Sequence, residues 1–197
     1  MSRTATIARK TAETDVHLTL TLEGSGAGTR ATGVGFLDHM LDLLARHGHI
    51  DLKATVSGDL QTGAHHTAED TAIVLGQALD EALGDRSGIA RYGSATVPMD
   101  EARASCAIDI SGRPFTLFEA ELPSGSTGGF EHELTEEFFR ALANAAKLTL
   151  HLRVEAGSNA HHMIEAAFKA FARALRQAVA MDPSETGVPS TKGTLTT

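Results

Sequence analysis

The sequence predicts an α+β fold built from duplicated two-layer units, each a mixed β-sheet packed on helices. Three observations carry that expectation. Period-two stretches occur in both halves, runs at helical spacing follow in a repeated helix–strand–helix order, and a His-His-x-x-Glu signature appears twice. His65, His66 and Glu69 each have a counterpart 96 residues later in His161, His162 and Glu165. A duplication accounts for that offset, with one pseudo-repeat at residues 1–90, a second at 91–181 and a tail at 182–197. Strands laid on helices around one shared core are a stable layered solution for such a pattern.

Each element has a local reason. Between Thr4 and Leu22, the residues Val16, Leu18, Leu20 and Leu22 alternate with His17, Thr19 and Thr21, as in a half-buried strand. Gly24, Gly26 and Gly28 then turn the chain. Leu37, Met40, Leu41 and Leu44 stripe a helix over Gly35–His47, which Gly48 ends. Ile50–Val56 alternates as a strand and closes on Ser57-Gly58-Asp59. Ala68, Ala72, Leu75, Ala78, Leu79 and Ala82 mark a helix from Ala64 to Leu83, with Glu69 and Asp70 toward the end where the helix dipole favours acid. Strands are predicted at Tyr92–Val97, Ala102–Ile110 and Phe115–Leu122, with Arg113 in a turn and Pro123–Gly129 as a loop. Leu134–Ala146 reads as a helix, Leu148–Val154 as a strand and Asn159–Val179 as a helix. The tail has no periodicity and reads as a flexible terminus, or as a flap closing Ser190, Thr191 and Lys192 over a charged ligand.

Composition excludes several classes. The 197 residues are 42% hydrophobic, enough for a substantial core without crosslinks. Seventeen basic against 25 acidic residues leave a net charge of -8, which disfavours nucleic acid as a partner. No apolar run approaches a membrane span, and no basic-then-apolar leader opens the chain, so a cytoplasmic location is expected. Cys106 is the only cysteine and reads as a small packed residue. Dinucleotide, phosphate-loop, HExxH and nucleophile-elbow signatures are lacking.

The ten histidines carry the chemistry. On a helix, His65 and Glu69 lie about 6 Å apart on one face, as do His161 and Glu165. The adjacent histidine in each pair points about 100° away, so two metal sites drawing on both halves fit better than one site per pair. His39 offers a further ligand, and mixed imidazole and carboxylate suit manganese, iron, cobalt or zinc. Each motif alone is also compatible with a polar helix start.

The ordered set Gly35–Leu41 (GFLDHML), His65–Asp70 (HHTAED), Arg91–Gly93 (RYG), Pro98–Glu101 (PMDE), Asp109–Pro114 (DISGRP), Asn159–Glu165 (NAHHMIE), Phe168–Ala170 (FKA) and Pro189–Gly193 (PSTKG) resembles the imidazoleglycerol-phosphate dehydratase family over nearly the full chain. The resemblance implies a ribosomal protein S5 domain 2-like fold. It also implies manganese-dependent dehydration of D-erythro-1-(imidazol-4-yl)glycerol 3-phosphate to 3-(imidazol-4-yl)-2-oxopropyl phosphate, and a homo-24-mer with two Mn²⁺ per active site. Carried over residue by residue, it implies one metal on His39, His66, His161 and Glu165, and another on His65, Glu69, His162 and Glu137. Relatives often have His at position 137, and His132 is the spare candidate here. Gly63-Ala64 stands where relatives often carry an acid, which weakens a supporting contact and removes no ligand. By resemblance, Glu13, Glu165 and Asp100 are the acid–base candidates. Glu13, His39, His47, His65, Arg91, Arg113, His161, Lys169, Ser190, Thr191 and Lys192 would bind the substrate or its phosphate. His151 is expected to serve the fold. The competing readings are a metal-dependent phosphohydrolase, which would release phosphate, and a non-enzymatic metal-storage or metal-sensing protein.

Overall fold

The computed structural model describes residues 2–195, so Met1 and the last two residues of the expected tail lie outside the described residues. The first alternating stretch folds as a hairpin. Strands β1 (Thr4–Lys10) and β2 (Thr14–Thr21) pair antiparallel, from Thr4 opposite Thr21 to Lys10 opposite Asp15. The single strand expected over Thr4–Leu22 breaks because the Thr11 hydroxyl accepts the backbone N–H groups of Glu13 and Thr14, at 3.1 and 3.0 Å. Such a bond offers the backbone a turn instead of a ladder.

The first half continues through β3 (Arg30–Ala31), α1 (Gly35–Gly48), β4 (Asp51–Gly58) and α2 (His65–Leu83). The second half runs β5 (Tyr92–Met99), β6 (Ala102–Asp109), β7 (Phe115–Glu119), a small hairpin of β8 (Ser126–Thr127) and β9 (Phe130–Glu131), α3 (Leu134–Ala146), β10 (Thr149–Ala156) and α4 (Ala160–Ala178). The sheets are ordered β1-β2-β4-β3 and β5-β6-β10-β7. In each, the last strand is parallel to its neighbour and the other pairs are antiparallel. The two halves therefore share one topology, apart from the inserted β8–β9 hairpin. β7 ends at Glu119, short of the expected Leu122, and β8 lies inside the expected loop.

One face of each sheet is buried, through Val16, Leu18 and Leu20 in the first and Ala104, Cys106 and Ile108 in the second. Helix α2 covers β1 and β2, while α4 covers β5 and β6. Across the halves α1 meets α4 and α2 meets α3, so the helices lie between the sheets. Phe138, Phe139, Phe168 and Phe171 fill this seam, with ring centroids 4.7 to 5.6 Å apart. Gly76 lets α2 and α3 touch, since a Cβ there would fall 2.5 Å from the Leu142 carbonyl oxygen.

Two local expectations change. Asp70 does not serve the start of α2. It is buried, 2.6 Å from the Arg9 guanidinium, and accepts the Thr14 hydroxyl, which fastens the β1–β2 hairpin to the helix. The tail, expected to be a flexible terminus, is docked. Asp182 and Gly187 bond the backbone of Gly88 at 2.8 Å each, and the Arg91 guanidinium donates to the Pro189 carbonyl at 2.8 Å. The buried Arg86 donates to the carbonyl of Leu195, whose side chain is itself buried. No helix among the described residues is long and apolar enough to cross a membrane.

Candidate functional site

Asn159 begins the site by starting α4. Its side-chain oxygen accepts the backbone N–H groups of His161 and His162, at 2.9 and 3.4 Å. One helical turn then puts His161 Nε2 at 3.1 Å from Glu165 Oε2. His39, projecting from α1, brings its Nε2 to 3.3 Å from the same oxygen. One ligand atom from each of the three residues fits within 4.8 Å of the others. Among the described residues, no other group of three or more His, Cys, Asp or Glu side chains is gathered so closely. Phe36 walls the cluster, its ring 5.0 Å from that of His161. The side chains of His39 and His161 stay 45% and 41% exposed, leaving the open side to a ligand.

Glu165 is buried, yet ionised. Burial works to raise its carboxyl, but Lys169 at 2.6 Å from Oε1, together with the two histidines on Oε2, outweighs this and holds it below the ordinary range. Two imidazoles and one ionised carboxylate are a donor set suited to a divalent first-row cation. Lys169 also borders a cleft of about 420 Å³, shared with His47 and Arg173. Burial, then the nearby charges of Lys169 and Arg173, lower the His47 pKa, so this ring is neutral beside two cations.

The adjacent histidines point elsewhere, as helix geometry requires. The rings of His161 and His162 stand at 79°, those of His65 and His66 at 83°. His66 has Nδ1 3.0 Å from Asp59 Oδ2 and Nε2 3.7 Å from Glu13 Oε1. His162 has Nδ1 2.7 Å from Glu101 Oε2 and Nε2 3.7 Å from Asp100 Oδ2. Asp59 raises the His66 pKa and Glu101 raises that of His162. The His162 ring and the backbone N–H groups of Asn159 and Ser158 hold the Glu101 carboxyl down at about 2.

Within one chain, the expected ligand sets are thus only partly assembled. His39, His161 and Glu165 converge, whereas His66 lies with Asp59 and Glu13. His65 and Glu69 face each other at 3.9 Å, and His162 lies with Asp100 and Glu101. Glu137 sits half-buried in the first turn of α3. His132 has both ring nitrogens engaged, Nδ1 with the Pro123 carbonyl at 2.7 Å and Nε2 with the Thr127 hydroxyl at 2.9 Å. That makes it a structural residue rather than a spare ligand. Burial pushes the Cys106 thiol well above its usual pKa, in keeping with a packed residue. His151 packs against Phe115, with ring centroids 5.8 Å apart.

Of the expected phosphate ligands, Arg91 is held by Asp109 at 2.7 and 3.1 Å and by the tail at Pro189, next to Ser190, Thr191 and Lys192. Arg113 is exposed in the turn after β6. Sequence reasoning overlooked Arg173, Asp59 and Glu101 as site neighbours. Arg173 was signalled by its spacing of one helical turn from Lys169, whereas Asp59 and Glu101 gave no signal because folding brings them to their histidines.

A family model described as imidazoleglycerol-phosphate dehydratase matches residues 32–175. A relative of that description from Symbiobacterium thermophilum is 59% identical over 193 residues, 98% of this chain and 93% of its own. One from Moorella thermoacetica is 55% identical, covering 99% of this chain and 100% of its own. The crystal structure of imidazoleglycerol-phosphate dehydratase from Staphylococcus aureus superposes with a TM-score of 0.82 at 40% identity, covering 90% of this chain and 99% of that one. The Pyrococcus furiosus structure gives 0.82 at 36% identity, over 96% and 100%. With topology, convergent donor set and near-full-length likeness in agreement, the chain belongs to the imidazoleglycerol-phosphate dehydratase family of enzymes.

Proposed function

We propose that this chain dehydrates D-erythro-1-(imidazol-4-yl)glycerol 3-phosphate to 3-(imidazol-4-yl)-2-oxopropyl phosphate and water, as a cytoplasmic step of histidine biosynthesis. One observation carries the chemistry: a buried carboxylate shares one oxygen between two imidazoles and gives the other to a lysine that borders a cationic cleft. Metal-type donors and phosphate-type donors therefore stand one helical turn apart. His39, His161 and Glu165 converge as one donor set, and in this reading one cation would be held by those three with His66, the other by His65, Glu69, His162 and Glu137, each set completed between copies of the chain. Two Mn²⁺ per active site, held by these residues, would supply Lewis acidity to the substrate imidazole and so let it act as an electron sink.

The chain's own side chains do the rest. Glu13 takes the C–H proton, with Asp100 and Glu165 as the further acid–base candidates, while a hydroxyl leaves the neighbouring carbon as water. The resulting enol tautomerises to the ketone. His47, Arg91, Arg113, Lys169, Ser190, Thr191 and Lys192 hold the substrate at its phosphate end, with arginine offering paired donors. The separation of His66 from the His39 cluster within one chain supports sites completed by neighbouring copies in a homo-24-mer. Pseudo-repeats at 1–90 and 91–181 and a tail at 182–197 complete this reading.

The direct test is a product assay on protein stripped of metal and then given Mn²⁺. Ketone formation restored by Mn²⁺, without release of inorganic phosphate, is expected. Full turnover in the stripped protein, or phosphate release in place of ketone, overturns the proposal.

A further inference from the structure

We infer that Asp59 and Glu101 are positioning residues that hold His66 and His162 in the tautomer a metal cation requires. This rests on the proposed metal reading above, in which both histidines are ligands. A carboxylate only accepts hydrogen bonds, so in a neutral ring the nitrogen bonded to it carries the proton; Nε2 of His39 and of His161, which face Glu165 itself, would give that proton up when all three hold one cation. In His66 and His162 that nitrogen is Nδ1, at 3.0 and 3.2 Å from the two oxygens of Asp59 and at 2.7 Å from Glu101 Oε2. A neutral imidazole has one N–H, so Nε2 of each ring is left with a bare lone pair. Carboxylate–histidine pairs of this kind orient metal-binding rings and raise their basicity.

Each carboxylate is itself fixed. Asp59 Oδ2 accepts the Thr62 hydroxyl at 3.0 Å. Glu101 Oε1 accepts the backbone N–H groups of Asn159 at 2.8 Å and Ser158 at 3.1 Å. The first lies between β4 and α2, the second in the turn between β5 and β6, so unlike positions of the two halves supply the same device. The freed nitrogens also face alike. His66 Nε2 looks toward Glu13 and His162 Nε2 toward Asp100, each at 3.7 Å.

The experiment uses the full chain with Glu101→Gln and, separately, Asp59→Asn. In Glu101→Gln the amide oxygen keeps the Asn159 and Ser158 bonds, while its NH₂ donates to Nδ1 and drives the ring proton to Nε2. Titration of metal-free protein with Mn²⁺, read by electron paramagnetic resonance of free Mn²⁺, is expected to show two sites per chain in the parent. Each variant should lose about 10- to 100-fold in affinity at one site, with the thermal midpoint of the metal-free form unchanged. Imidazole ¹⁵N spectra of the metal-free parent, at a pH where both rings are neutral, should show His66 and His162 protonated at Nδ1. Protonation at Nε2 in the parent overturns the inference whether or not the variants fold. Two sites of parental affinity in both variants also overturn it, and leave the metal reading standing. A parent that binds no Mn²⁺ overturns both.

Discussion

Both oxygens of Glu165 have fixed neighbours: two histidines face one and Lys169 holds the other. That arrangement favours the ligand role of Glu165 over its role as a base, whereas the Glu13 side chain is 54% exposed and faces His66 Nε2 at 3.7 Å. Glu13→Gln is therefore expected to lower kcat by about 10²- to 10⁴-fold while the protein keeps its full Mn²⁺ complement. Glu165→Gln should lose Mn²⁺ and turnover together. Steady-state kinetics beside metal analysis of both variants separates the roles, and equal Mn²⁺ loss in the two would remove Glu13 from the chemistry. At this scale the sequence was informative wherever partners share a helix. His161 and Glu165 follow from one-turn spacing alone, whereas Lys169, one further turn on, entered through the family resemblance. Spacing did not reveal Asp59 and Glu101, because each reaches its histidine from a different element.

The start of α4 decides where two imidazoles point. Asn159 satisfies two otherwise unpartnered helix N–H groups, those of His161 and His162. Asn159→Ala is expected to cost about 1 kcal/mol in chemical denaturation. It should also weaken Mn²⁺ binding, because the capped turn carries both rings. An unchanged denaturation midpoint with parental Mn²⁺ affinity would show that Glu101, bonded to the same turn, suffices to hold it. Helix existence was readable from apolar spacing, and so were most strands. The break in the first strand was not, since a single threonine hydroxyl turns the chain at Thr11. The acids early in α2 also misled, because Asp70 answers to Arg9 and Thr14 on another element rather than to the dipole of its own helix.

The whole molecule repeats one topology around a shared helical layer, and it ties its tail to that frame. Arg86 is fully buried and joins Asp80 to the Leu195 carbonyl. Ending the chain after Gly193 removes that acceptor and leaves a buried donor unmet, at a cost of about 1–3 kcal/mol. The same truncation should raise KM more than it lowers kcat, because Ser190, Thr191 and Lys192 keep the Arg91–Pro189 bond on one side but lose the Leu195 anchor on the other. Denaturation curves and steady-state kinetics of the shortened chain check both. Parental stability and KM would mean that the docked tail contributes to neither.

By itself the sequence determined the fold class, the duplicated order and the helix faces that carry imidazole and carboxylate. Those features depend on side chains a few residues apart, where backbone geometry alone sets who meets whom. Only the tertiary structure decided that His39 meets His161 and Glu165 within one chain while His66 stands apart, that His132 is engaged by Pro123 and Thr127, and that the tail is docked. The first and the last join groups far apart in the chain, whose meeting is set by how the helices and sheets pack; the second closes a short irregular loop, whose path no helix or strand spacing fixes.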